Sequence, residues 1–74
     1  MSTTEPGETA EGTVTAFDEG RGRGVVTTSD GASYEFHATR IADGTRRIAV
    51  GTNVRFTVVP AQLGHWEAAA VTRA

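Results

Sequence analysis

From Gly12 onward the chain is a succession of short runs rich in valine, threonine and phenylalanine, each broken within about ten residues by glycine, aspartate or asparagine. β-Branched and aromatic side chains fit the pleated, half-buried surface of a strand, whereas Gly, Asp and Asn tolerate the backbone angles that turns require. No stretch is left for a helix of ordinary length. The pattern predicts five strands, at Thr13–Asp18, Arg23–Thr28, Ser33–His37, Asn53–Val59 and about Trp66–Thr72. Asp30-Gly31 is a hairpin-turn pair, and Pro60 ends the fourth run because proline has no N–H for a ladder. A longer connection, Ala38 to Val50, separates the third and fourth strands, with Ile41 and Ile48 as its inward anchors.

Side chains alternate between the two faces of a strand, so the runs also sort core from surface. Val26, Tyr34, Phe36, Val54, Phe56, Val58 and Val71 form the predicted core, joined by Val14, Ile41 and Ile48. Arg23, Val25 and Thr27 then face outward from the second strand, and Ser33, Glu35 and His37 from the third. Closure removes the unpaired edges of a sheet, so five short strands favour a small barrel. The expected fold class is all-β, a five-stranded antiparallel Greek-key barrel.

Composition narrows the function. A chain of 74 residues builds a single core, and without cysteine neither a disulfide nor a redox dithiol is available to it. Two separated histidines are too few for a structural zinc site, and no cofactor is expected. No apolar run approaches the roughly 18–20 residues of a membrane span, and the first residues lack the basic start and apolar stretch of a signal peptide. The expectation is a cytoplasmic monomer with no membrane partner. Residues 1–11 carry Glu5, Glu8 and Glu11 and almost nothing to bury, and are expected to form a disordered acidic tail ahead of a domain at 12–74. All seven basic residues are arginines, set against six acids in the domain, which is therefore close to neutral.

The order of residues resembles the cold-shock domain, a nucleic-acid-binding variant of the OB-fold. Gly12-Thr-Val-Thr-Ala-Phe-Asp18 is similar to that family's opening strand. Arg21-Gly-Arg-Gly-Val-Val26 and Tyr34-Glu-Phe-His-Ala38 stand where its two ribonucleoprotein motifs fall. Thr39-Arg-Ile41, Gly51 through Phe56, and Ala69-Ala-Val-Thr72 match further along, so the likeness spans nearly all of residues 12–74. The resemblance implies an OB-fold that binds single-stranded DNA or RNA on a platform of outward aromatics, each stacked base contributing about 1–3 kcal/mol. Most of those aromatics are replaced here. The family's tryptophan is Ala16, the two phenylalanines of the first motif are Arg23 and Val25, and the second motif has Glu35 and Ala38 in place of phenylalanines. Phe17 and His37 remain. Binding that depends on arginine, is weak and is sensitive to salt is the implied behaviour. The alternative is a degenerate fold acting as a protein–protein interaction module.

The candidate contact residues are Phe17, Arg21, Arg23, Val25, His37, Arg46, Arg47 and Trp66. Arginine pairs bidentately with phosphate and stacks on planar groups, and the glycines of Glu19-Gly-Arg-Gly-Arg-Gly24 allow close approach. The same loop also reads as a plain strand connection with solvated arginines. Phe17 is placed outward by ideal alternation, as a stacking side chain rather than a core one. His37 is a surface contact, since no nucleophile or paired carboxylate accompanies it, and no enzymatic activity is expected. Glu35 is expected to pair with Arg23 or His37. Arg46-Arg47 either grip phosphate or are solvated, and Trp66 either caps one end of the barrel or contacts ligand from the loop before it.

Overall fold

The computed structural model describes residues 9–42, 44, 47–60 and 66–74. Its strands are β1 (Thr9–Asp18), β2 (Arg23–Thr28), β3 (Ser33–His37), β4 (Asn53–Pro60) and β5 (Trp66–Arg73), with a 3-10 turn at Ala38–Arg40. They close into a barrel in the order β1–β2–β3–β5–β4, and β4 returns to β1. This is an OB-fold-like arrangement, in the class expected from the runs. One seam departs from that expectation. β3 and β5 run parallel, joined at Glu35 opposite Glu67 and followed by the isolated parallel bridge Ile41–Val71. Strand directions cannot alternate all the way around a ring with an odd number of members, so a closed five-stranded barrel must contain at least one parallel seam.

The core contains Val14, Val26, Phe36, Val54, Phe56, Val58 and Val71, buried as the alternation predicts, and Ile41 and Ile48, the expected anchors of the long connection. Tyr34 is half-buried, its ring 5.6 Å from that of Phe56 and tilted by 54°. Ala68 and Ala69 complete the interior on β5, where small side chains carry little sequence signal.

Two bulges alter the phase of the strands. In β1 the register steps from Val14 opposite Val26 to Ala16 opposite Val25, leaving Thr15 as the extra residue. Every later side chain of β1 therefore changes face. Phe17, expected outside, is half-buried, packs against the core and stacks on Phe36 with centroids 6.1 Å apart and planes 19° from parallel. In β5, Ala70 and Val71 together oppose Phe56, and Ala70 takes a positive φ of 51°. The β2–β3 connection is a three-residue loop: Thr28 N–H donates to the Ala32 carbonyl at 2.8 Å, and Gly31 has φ of 92°, the left-handed geometry that favours glycine. Within it the Thr28 hydroxyl and the Ala32 N–H both donate to the Asp30 carboxylate, which holds that carboxyl below its ordinary value.

β1 begins at Thr9, three residues ahead of the domain boundary expected at Gly12, so Thr9–Glu11 are strand rather than disordered tail. Local composition offers these residues nothing, but β4 offers a template. Thr9 pairs with Thr57, Ala10 with Phe56 and Glu11 with Arg55, and the Arg55 guanidinium donates to Glu11 Oε2 at 3.0 Å. Ala10 also packs on the core. Residues 1–8 of the expected tail lie outside the described residues. A chain starting at Gly12 keeps only Gly12 and Thr13 on the β1–β4 seam. It is expected to be less stable than one starting at Thr9 by about 2 kcal/mol, the net value of a few lost backbone hydrogen bonds and one small apolar contact. Urea unfolding of the two chains measures the difference, and equal midpoints would refute the pairing.

No helix among the described residues is long and apolar enough to cross a membrane.

Candidate functional site

The outer face of β1–β2–β3 is organised in cross-strand rows, because paired residues of adjacent strands share a face. The row nearest the β1–β2 loop is Asp18–Arg23–His37, and the next is Ala16–Val25–Glu35, continued to Glu67 across the parallel seam. Beyond these stands a hydroxyl row. Thr15 and Thr27 share a hydrogen bond of 2.9 Å between their hydroxyls, and Thr27 and Ser33 one of 3.2 Å. The face thus grades from cations at one end, through Val25 and carboxylates, to neutral hydroxyls at the other.

Arg23 and His37 are both exposed and directly opposite each other. Asp18 is the cross-strand partner of Arg23, yet its carboxylate is directed to the loop. It accepts the Arg21 backbone N–H at 3.2 Å and lies 3.8 Å from the Arg21 guanidinium. Asp18 is thereby committed to the turn, and among the described residues no carboxylate forms an ion pair with Arg23. Arg21 is 81% exposed, and at 3.8 Å its pairing with Asp18 is loose enough to leave the guanidinium accessible.

Glu35 pairs with neither Arg23 nor His37, contrary to expectation. Its direct neighbours are Val25 and Glu67, and Arg23 and His37 occupy the adjacent row, where diagonal neighbours are about 7–8 Å apart. Val25 is half-buried at the centre of the face. Phe17, turned inward by the bulge, lies beneath the cationic end and supports it through Phe36 rather than presenting an open ring.

The β1–β2 loop is held against the start of the 3-10 turn by Ala38 N–H donating to the Gly22 carbonyl at 2.7 Å. Between them opens a shallow cleft of about 360 Å³, lined by Glu19, Arg21, His37 and Thr39 with the backbones of Gly20 and Gly22. The loop is tied on its other side to the long β3–β4 connection, where Arg47 Nη2 lies 2.8 Å from Glu19 Oε1. Both members of that pair are exposed, and such pairs contribute only about 0–1 kcal/mol to stability. Arg47 also accepts, through its carbonyl, a 3.0 Å hydrogen bond from Arg73.

Of the residues singled out in the sequence, Arg21, Arg23 and His37 come together at one end of the face, with Val25 beside them and Arg47 reached through Glu19. Arg46 lies outside the described residues. Trp66 does not join the group. It pairs with Pro60 and continues the inner row of Ala68 past the core, 42% exposed, and the parallel register sets it level with Tyr34 rather than with His37. Glu19 and Thr39 were not anticipated as part of this cluster. Glu19 and Arg47 are 28 positions apart, and no local pattern joins them. No protein-family model matches the chain, and no curated protein shows significant similarity to it.

Proposed function

We propose that this chain is a cold-shock-like, single-stranded nucleic-acid-binding domain that grips the sugar–phosphate backbone with arginine and histidine in place of most base stacking. The observation that carries the reading is the exposed Arg23–His37 pair, with Arg21 beside it and no carboxylate paired to Arg23 among the described residues. Guanidinium groups match phosphate geometry bidentately, and the imidazole adds a planar hydrogen-bonding contact. The carboxylates on the same face restrict the route. A polyanion following Arg21, Arg23 and His37 avoids Glu35 and Glu67, which occupy the middle row. With the Phe17 ring stacked on Phe36, base discrimination is weak.

The test is titration of labelled oligo-dT and oligo-U into the full chain. The guanidinium–phosphate contacts of Arg21 and Arg23 give a slope of log affinity against log salt of about −1.4 or steeper for single strands, so raising salt fourfold is expected to weaken binding at least roughly sevenfold. The Arg21→Ala/Arg23→Ala/His37→Ala variant is expected to bind at least about tenfold more weakly at low salt, since all three contacts are lost. Absence of binding at low salt would refute the reading and favour a protein partner, which the mixed Ala16, Val25, Glu35 and Glu67 row suits better.

A further inference from the structure

We infer that Glu19 is a built-in competitor of phosphate for Arg47, so that ligand entering the cleft exchanges an intramolecular ion pair for an intermolecular one. The inference rests on the nucleic-acid reading above and specifies how that site is regulated. Glu19 occupies two positions in the geometry at once. Its carboxylate holds Arg47 at 2.8 Å, and the same residue lines the cleft with Arg21, His37 and Thr39. A phosphate drawn to Arg21 and His37 therefore arrives beside a carboxylate, and the like-charge repulsion is relieved when Glu19 withdraws. Arg47 then pairs with the newcomer instead of with Glu19, and a phosphate offers the bidentate geometry that the single Nη2–Oε1 contact does not use.

Both side chains are well exposed, Arg47 at 78% and Glu19 at 59%, so neither is locked by packing and the exchange requires no change in the barrel. The pair is also a second link between the β1–β2 loop and the β3–β4 connection, beside the Ala38–Gly22 backbone hydrogen bond. Occupancy of the cleft consequently removes that side-chain tie and leaves the backbone one in place. Before ligand arrives, the pair keeps one arginine of the site neutralised, which lowers affinity for stray anions more than for a strand that also engages Arg21 and Arg23.

The exchange predicts a specific signature for Glu19→Gln, which keeps the side-chain shape and removes the charge. Oligo-dT binding to the full-length variant is expected to tighten about three- to fivefold at low salt. The slope of log affinity against log salt is expected to be alike in the two proteins, each including about 0.7 from the Arg47 contact, because Glu19 has withdrawn from Arg47 in the bound wild type. Arg47→Gln alone weakens binding only slightly, because the wild-type arginine is already partly engaged. Adding Arg47→Gln to Glu19→Gln abolishes the gain. A gain that persists in the double variant would mean that Glu19 acts through bulk charge alone, and overturns the exchange. Measurable wild-type binding with no change in Glu19→Gln also overturns it, while leaving the nucleic-acid reading standing. No binding by either the wild type or Glu19→Gln at low salt overturns both. Amide spectra of each variant report that the barrel is intact.

Discussion

Replacing Phe36 with alanine is expected to destabilise the barrel by about 3–5 kcal/mol, the range for removing a buried phenylalanine. The ring is 1% exposed and stands at the junction of core and surface. One side belongs to the valine-rich interior, and the other stacks on Phe17 beneath the cationic end of the face. A chain of this length has a total stability on the order of 4–11 kcal/mol at about 0.05–0.15 kcal/mol per residue. The loss therefore consumes a large part of it. The melting temperature is expected to fall by at least about 12 °C at roughly 4–8 °C per kcal/mol. Calorimetry or thermal circular dichroism measures this directly, and a drop of only a few degrees would show that the ring is not in the core.

The second large effect is at Gly24, where β2 passes closest to both aromatic rings. A Cβ built there would lie 2.5 Å from Phe36 Cζ and 2.9 Å from Phe17 Cδ1, well inside contact distance. Phe36 is fully enclosed and has nowhere to go, so Gly24→Ala is expected to cost about 2–3 kcal/mol, as overpacking of a filled core does. The two substitutions should also be strongly coupled. In a Phe36→Ala background the closer clash partner is gone and the half-buried Phe17 ring can shift into the vacated space, so Gly24→Ala costs much less than in the wild type. Neighbouring residues that share a space are non-additive by about 0.5–3 kcal/mol. A double-mutant cycle by urea unfolding measures the coupling. Additive losses at the two positions would contradict the geometry that places Phe36 over Gly24 and would reopen the position of Phe17.

What the chain's own pattern determined is local. Period-two alternation identified seven of the buried core residues and the outward faces of β2 and β3, because each strand's phase is written in its own short run, and Ile41 and Ile48 stood out as the large aliphatics of the long connection. The Asp30-Gly31 turn was legible for the same reason, since glycine's freedom at positive φ is a property of that residue alone. Arg23 and His37 are thereby assigned to one surface by the sequence alone, with Arg21 in the bend that leads into it. The features that escaped all depend on register between distant segments. The extra residue Thr15 shows only against β2, and it alone reverses Phe17. Thr9–Glu11 become strand only because β4 supplies partners, and Glu35 meets Glu67 only because a ring of five must contain a parallel seam. Closure likewise brings Glu19 to Arg47, which turns a loop arginine into half of an ion pair. Alternation sets which way a side chain points within its strand; only the closed barrel decides which side chains from other strands stand beside it.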